Sequence, residues 1–422
     1  MKKKLRILSV WIVVSLIFQF GGHFLLNSQV QKVMGLTTGD SEPAITVQLK
    51  ATIPGSDLTN IQLSYAKDYL AYLEKGTLKI FNLKTEKVVF EKKPSSATDQ
   101  TLGVQAYQWL PDRNILLYLY TRKNPNEVTT VKVYPPQTNA SNSAIVPKTE
   151  DPNQAKTVTQ EVSAEPRYEK RYGSPRLTEL YSVELPDSGE DTAPDDQLQP
   201  FDPPSGSEEI GKGGKLEKYV VEAATNLMYL TVTNGSTQQL IKIGVMKTVS
   251  SLSKSGEVIN NMAVSDRFAS LYIDSKVGSV QQVVAVHYVE ASQKDQRLVI
   301  SKNANDRILG VRKGKVYLGE VENDQLVKIK TTDDLKEVKE NPALKTEWEG
   351  SIPYSKNTRA LIGVQGQVIV YDNQTAYIVS DGHLTEVKLQ GDENYVSADG
   401  AELIQVSKAE TSTLVELQPL KP

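Results

Sequence analysis

Residues 61–90 read IQLSYAKDYLAYLEKGTLKIFNLKTEKVVF. Apolar and aromatic side chains recur there in short alternating runs at 61–65, 69–73, 78–83 and 88–90, separated by Glu74-Lys75-Gly76 and Lys84-Thr85-Glu86 among other polar breaks. Alternation with turn residues at this interval predicts four antiparallel strands joined by tight turns. Such a meander has two faces to bury and an open edge, so it is stable mainly when packed against copies of itself.

Less regular copies follow. One opens with Trp109-Leu110-Pro111-Asp112-Arg113-Asn114 and runs on into Ile115-Leu116-Leu117-Tyr118, and others cover 216–245, 259–288, 298–329, 350–389 and 395–404. Six or seven units at a spacing of about 40 residues predict an all-β fold, a six- to seven-bladed β-propeller. Pro111 sets φ for a turn, Asp112 is placed to accept a local backbone hydrogen bond, and Trp109 is expected in the core between blades. The run 45–53 alternates like 413–417, and pairing the two would join both ends of the chain in one blade and close the ring.

The stretch from Trp109 to Tyr118 resembles the blade motif of TolB-type and dipeptidyl-peptidase-N-terminal-type propellers, in which an aromatic residue, a Pro-Asp-Gly-like turn and an apolar strand follow one another. Ser265-Asp266-Arg267-Phe268 and Ala398-Asp399-Gly400-Ala401-Glu402-Leu403 are degenerate versions, and Asp399-Gly400 keeps the Asp-Gly pair. The blade-motif residues are then Trp109, Pro111, Asp112, Asp399 and Gly400. The likeness, to bacterial membrane-anchored propellers with such repeats, implies an architecture for about 45–420 and no activity.

One region breaks the pattern. Residues 135–215 hold 11 of the 20 prolines, with many Ser, Thr, Glu, Asp and Gln. So few apolar side chains cannot offset chain entropy, which predicts a disordered insertion in the second blade, made of two mobile pieces at about 136–174 and 187–214. Between them Leu177-Thr178-Glu179-Leu180-Tyr181-Ser182-Val183-Glu184-Leu185 alternates as a strand of that blade. Arg167, Lys170, Arg171 and Arg176 lie among tyrosines, and Glu190, Asp191, Asp195, Asp196, Glu208 and Glu209 form an acidic counterpart. Solvated loop charge is the plain reading and a partner-docking element the functional one.

The N-terminal stretch gives a location. Lys2, Lys3, Lys4 and Arg6 precede an uncharged run containing Ile7, Leu8, Val10, Trp11, Ile12, Val13, Val14, Leu16, Ile17, Phe18, Phe20, Phe24, Leu25 and Leu26. About 20 residues at 1.5 Å each span the roughly 30 Å of bilayer hydrocarbon. The four cations set the topology, N-terminus cytoplasmic, by the positive-inside rule. The expected organisation is a cytoplasmic tip at 1–6, a transmembrane signal-anchor helix at 7–27, a linker at 28–43 and an extracytoplasmic propeller at 44–420. A cleaved signal peptide is the rival reading, but no Ala-x-Ala-like site follows the run.

Composition narrows the chemistry. The 422 residues include no cysteine and three histidines, which removes disulfides, thiolate nucleophiles and cysteine-held metals and leaves little for a histidine centre. A net charge of -3 does not suit a nucleic-acid binder, so no nucleic-acid partner is expected. No Gly-x-Ser-x-Gly elbow and no metal-binding motif is present, and no cofactor is expected. His287 lies in a strand-like run and His383 beside the turn Asp381-Gly382, while Gly310-Val311-Arg312-Lys313-Gly314 lacks phosphate-loop spacing and reads as a hairpin turn.

The expectation is therefore a non-enzymatic protein-interaction or scaffold module of the bacterial cell envelope. Its partners are the cytoplasmic membrane and an envelope protein or cell-wall glycan. The alternative is a carbohydrate-active enzyme or a polysaccharide-binding component of an export or wall-synthesis system. Facing carboxylates or a His–Ser–Asp set in a deep channel would favour the enzyme.

Overall fold

A computed structural model describes residues 49–96, 98–99, 101–133, 167–186, 192–211, 214–289 and 294–420. The expectations for residues 1–43, anchor and topology-setting cations included, lie outside the described residues, as does most of the first insertion piece. Among the described residues no helix is long and apolar enough to cross a membrane.

Seven four-stranded antiparallel sheets make seven blades. Strand β1 (Leu49–Pro54) comes first, and blade 1 follows as β2 (Leu58–Leu63), β3 (Tyr69–Glu74), β4 (Thr77–Asn82) and β5 (Lys87–Lys92). Blade 2 starts with β6 (Gly103–Trp109) and β7 (Ile115–Lys123). A two-stranded ribbon of β8 (Val128–Val133) and β9 (Arg167–Tyr172) intervenes before β10 (Arg176–Glu184) and β11 (Asp195–Gln199) complete the blade. A short helix α1 (Gly206–Gly211) leads to blade 3, with β12 (Lys215–Glu222), β13 (Leu227–Asn234), β14 (Thr237–Ile243) and β15 (Val249–Ser251). Blade 4 has β16 (Glu257–Val264), β17 (Ser270–Val277), β18 (Val280–Val289) and β19 (Lys294–Ser301), and blade 5 has β20 (Asp306–Arg312), β21 (Lys315–Glu322), β22 (Gln325–Asp333) and β23 (Lys345–Pro353). Blade 6 has β24 (Arg359–Ile362), β25 (Val368–Tyr371), β26 (Thr375–Ser380) and β27 (His383–Lys388). Blade 7 takes β28 (Glu393–Val396), β29 (Glu402–Lys408) and β30 (Ser412–Pro419), and its fourth strand is β1.

The middle strands show why the blades stack. Val368, Ile369, Val370 and Tyr371 of β25 are all buried, as are the first six residues of β17, because both faces of these strands are covered by neighbouring blades. Seven apolar clusters result, one at each junction between successive blades. The junction of blades 7 and 1 joins Ala51, Ile53, Tyr395, Ile404 and Val415 to Leu58, Leu70, Tyr72 and Phe81.

Closure follows the expected pairing, with Leu49 opposite Leu417 and Ile53 opposite Thr413. Only three residues separate β1, on the outer edge of blade 7, from β2, at the inner edge of blade 1. Gly55 turns this corner at φ +109°, and a Cβ there would lie 2.0 Å from Glu74 Oε1. Its amide donates to Thr411 O at 3.0 Å, and its carbonyl accepts from Thr413 Oγ1 at 2.7 Å.

Two expectations for the insertion need correction. The piece at 187–214 holds β11 and α1, so it supplies the outermost strand of blade 2. Its sequence, DDQLQ, is exposed over most of its length and held by backbone pairing from Leu180–Gln199 to Glu184–Asp195, which leaves no apolar alternation to read. The end of the piece at 136–174 forms β9. The strand expected between the two pieces is β10, paired with β7.

Ile53 is fully buried in the closing strand, whereas Thr52 is exposed. Ile53→Ala is expected to cost about 2–5 kcal/mol, and Thr52→Ala less than about 0.5 kcal/mol. Urea unfolding of both variants, followed by tryptophan fluorescence, measures the difference.

Candidate functional site

The first turn of each blade, between its innermost and second strands, reaches the same face of the ring, and there the blades grip one another. Asn114 Oδ1 accepts from Ala66 N at 3.1 Å, linking blades 2 and 1. Asp266 Oδ2 accepts from Lys313 N at 2.8 Å, and Lys313 Nζ reaches Gln365 Oε1 at 3.3 Å, linking blades 4, 5 and 6. Val364 N donates to Asp399 O at 2.9 Å. Lys67 links blade 1 to blade 7 through Glu402 and Asp399. Burial pulls the Lys67 pKa down, but its hydrogen bond to Glu402 and the charges of Asp399 and Glu402 raise it above the ordinary value. Burial likewise pushes Asp399 up, and bonds from Ser397 Oγ and Ala401 N together with Lys67 hold it below the usual carboxylate range.

The blade-motif residues meet on this face. Trp109, Pro111 and Asp399 line a cavity of about 220 Å³ with Tyr65, Lys67 and Val364. Trp109 is 4% exposed, packs between blades 1 and 2 and donates from Nε1 to Gln62 O at 3.2 Å. Gly400 sits at φ +72°, where a Cβ would come within 2.7 Å of Gly363 Cα on blade 6. Asp112 does not make the expected backbone bond. It is exposed and pairs with its neighbour Arg113 at 2.7 Å, while the backbone-capping role falls to Asn114 here and to Asp399 in blade 7.

The axis of the ring is polar. A second cavity, of about 560 Å³, is lined by Gln62, Gln105, Lys218, Tyr219, Asn261 and Arg359 among others, from blades 1, 2, 3, 4 and 6. The innermost strands β2, β6, β12, β16 and β20 all carry a bulge at a comparable point. A bulge bends a strand and re-aims its side chains, here toward the axis. Sequence alternation concealed those on β2, β6, β12 and β16, because a bulge shifts the period by one, whereas Arg359 opens β24, which has no bulge.

Outside the ring, the ribbon continues β7 and β10 past a corner where Asn124 donates from Nδ2 to Ser174 O at 2.7 Å and from N to Pro175 O at 2.9 Å. Tyr168 (67% exposed) and Tyr172 (76%) share one face with Lys170. Across the pair, Val128 faces Tyr172 and Thr130 faces Lys170.

Of the residues considered for catalysis, His287 Nδ1 lies 3.0 Å from Ser270 Oγ across β17 and β18. Ser270 is fully buried, and no carboxylate is hydrogen-bonded to His287 among the described residues. His383 is exposed behind the turn Asp381-Gly382, whose φ values of 50° and 79° make a tight hairpin, and Lys313-Gly314 does the same at 51° and 68°. Among the described residues no group of three or more His, Asp and Glu is placed to hold a metal ion.

Glu222, at the end of β12, is 1% exposed, and both carboxyl oxygens lack a hydrogen-bond partner. Burial pushes its pKa up to about 8, opposed by the neighbouring Thr225 hydroxyl and reinforced by the charge of Asp334. The folded chain therefore holds this proton more tightly than the unfolded chain, whose glutamate titrates near about 4.3, and stability falls as pH rises between the two values.

No family model matches the chain, and no curated protein matches it. The resemblance to TolB-type blades is not confirmed by these comparisons. Solved structures similar to the chain are propellers of low identity. A prolyl endopeptidase matches at 12% identity and TM-score 0.45, over 83% of this chain and 46% of that one. The AfRom2 CNH domain matches at 10% identity and TM-score 0.44, over 88% and 100%. The β-propeller domain of Cps50 (Swd1) from Myceliophteria thermophila matches at 13% identity and TM-score 0.34, over 88% and 99%.

Glu222→Gln removes the ionisation and keeps the shape. It is expected to raise the thermal midpoint by several degrees at about pH 9 and to leave it near wild type at about pH 4. Calorimetric scans at the two pH values measure this.

Proposed function

We propose that the protein is a non-enzymatic interaction module, tethered to the outer face of a bacterial cytoplasmic membrane, that docks acidic segments of a protein partner on the ribbon of β8 and β9. The ribbon is the observation that carries this reading. None of its described side chains belongs to an inter-blade cluster, so their identity is not fixed by the packing of the ring. Its strands, VTTVKV and RYEKRY, contain four basic residues and one acidic residue. Exposed tyrosines beside fixed cations combine apolar contact area with charge complementarity to carboxylates, a pairing enriched at protein interfaces. Tyr168 and Tyr172, four residues apart on one face, lie about 13–14 Å from each other at the usual strand rise, which suits an extended segment.

Support for the tether comes from the sequence, from the uncharged run between Ile7 and Leu26 with Lys2, Lys3, Lys4 and Arg6 before it. With an N-terminal anchor, an interaction surface on the ring would face a membrane-proximal compartment. That placement implies an envelope protein or wall-associated partner.

Two measurements test the reading. The full chain expressed in a bacterium is expected to sediment with membranes and resist carbonate extraction, whereas a chain lacking 1–27 is expected to be released; release of the full chain removes the tether. In fluorescence anisotropy with the full chain, an acidic leucine-containing peptide is expected to bind at least about tenfold more tightly than its lysine-substituted counterpart, with affinity falling as salt rises. Tyr172→Ser and Lys170→Glu are each expected to abolish that preference. Equal binding of the two peptides, or preference for an anionic glycan or lipid vesicle over the acidic peptide, overturns the docking role.

A further inference from the structure

The axial cavity has a particular pattern of hydrogen-bonding groups. The amide nitrogen of Gln62 donates to Tyr107 O at 3.0 Å, that of Gln105 to Thr101 O at 3.1 Å, and that of Asn261 to Ile308 O at 2.8 Å. Backbone carbonyls thereby fix the three amide groups; among the described residues the oxygens of Gln105 and Asn261 accept no hydrogen bond, and the Tyr219 hydroxyl lies beside the amide of Gln62. Two cations also line the cavity, Lys218 from blade 3 and Arg359 from blade 6. Neither Lys218 nor Arg359 has an ion pair within 4 Å among the described residues, and Arg359 is braced over the ring of Tyr395 at 5.0 Å. Asp274 and Glu393 act on these cations from a distance, Asp274 accepting instead from Ile308 N at 2.6 Å and Glu393 from Lys408 and Tyr395. Glu217, also on the wall, accepts from Gln238 at 2.9 Å.

We propose that this cavity binds a sugar acid, a polyhydroxylated carboxylate whose anionic end is held by Lys218 and Arg359 and whose hydroxyls donate to the amide oxygens of Gln105 and Asn261. The pattern selects this class over simpler ones. A bare anion such as phosphate meets the cations and leaves both acceptors unserved. A neutral sugar serves the acceptors and leaves both cations without a direct ion-pair partner. An α-amino acid concentrates its donors in one ammonium, whereas the acceptors are neutral and come from blades 2 and 4. Hydroxyls distributed around a ring meet acceptors distributed around a channel. The volume of about 560 Å³ falls within the roughly 300–1,000 Å³ of pockets that enclose small organic ligands. This site is separate from the ribbon, which lies outside the ring, so either assignment can fail without the other.

Isothermal titration of the full chain with glucuronate and digalacturonate tests it, with glucose, inorganic phosphate and glutamate as comparators. Saturable binding of a uronate is expected, at least about tenfold tighter than binding of any comparator, because a site built on polar groups rejects ligands that leave them unpaired. Lys218→Met and Arg359→Met are each expected to lose about tenfold or more, while Lys313→Met, outside the channel, keeps wild-type affinity. Gln105→Leu is expected to weaken uronate binding without creating binding of phosphate. Thermal unfolding identifies any variant that fails to fold, in which case the remaining two channel variants decide. No saturable uronate binding, a comparator binding as tightly as uronate, or wild-type affinity in the folded channel variants overturns the proposal.

Discussion

Every blade of this protein has two apolar faces, and the need to cover both dictates the ring. A four-stranded sheet alone would expose residues such as Leu70, Tyr72, Ile369 and Val370, all fully buried between blades. Burying one large apolar side chain is worth roughly 1.5–3 kcal/mol, whereas a partly exposed ion pair contributes about 0–1 kcal/mol. The seven inter-blade clusters therefore dominate, and rim contacts such as Lys67 with Asp399 and Glu402 set alignment. Without cysteine, the ring has no covalent closure. The pairing of β1 with β30 takes that place, since it covers the last open edge and draws strands from the two ends of the propeller sequence into one sheet.

The wedge shape of the gaps between blades decides which residues join them. Near the axis the sheets crowd together, and the inner strands accommodate this with bulges and small residues such as Ala106 and Gly310. At the outer rim the sheets splay, and long side chains bridge the distance. Lys92, on the outermost strand of blade 1, lies 4.1 Å from the ring centroid of Tyr181 and 2.9 Å from Asp196, while Tyr118 stacks on Tyr181 at 5.0 Å. Lys242 repeats the device between blades 3 and 4, at 2.6 Å from Asp295 with the Tyr288 ring beside it. Between blades 4 and 5 the solution is different, with the carboxylate of Asp274 set against a backbone amide of β20 and buried Asp306 bound to Ser301 and Lys330. Such buried charges add little net stability, but they penalise any register that leaves them unpaired.

The same geometry explains which elements are legible in the sequence. Blade 1, the closing pair and β10 can be read because their strands are covered on at least one face and alternate accordingly. Strand β11 cannot, since an outermost strand exposed on both sides has no face to mark, and Asp195, Asp196 and Gln197 look like loop. The three residues of β15, VSS, are too short to show a period. For the site, Trp109 is legible as inter-blade core and Asp399-Gly400 as a turn, because turn chemistry is local. Asp112 is expected to make a backbone bond that Asn114, two residues on, makes instead to the neighbouring blade. The channel residues are illegible for a further reason. Gln105 and Glu217 sit at bulges, and the bulged register removes them from the alternation that identifies strand faces.

Bulges thus do more than relieve crowding. An unbulged inner strand presents every second residue to one neighbouring blade and the rest to the other, which leaves the axis only its end residue, as with Arg359 at the start of β24. Adding one residue breaks that division and frees a side chain whose identity no longer affects the stacking of blades. Polar residues at these positions cost the core nothing, since the core is formed by their neighbours Ile61, Ala106 and Met262. The ring can therefore keep its packing constant while the axial set of amides and cations is altered residue by residue. In this chain the set is Gln62, Gln105, Lys218, Asn261 and Arg359, with the three amides held by backbone carbonyls and Arg359 by a tyrosine ring rather than by one another. Side chains fixed in this way are preorganised for a ligand and separable, by substitution, from the stability of the fold.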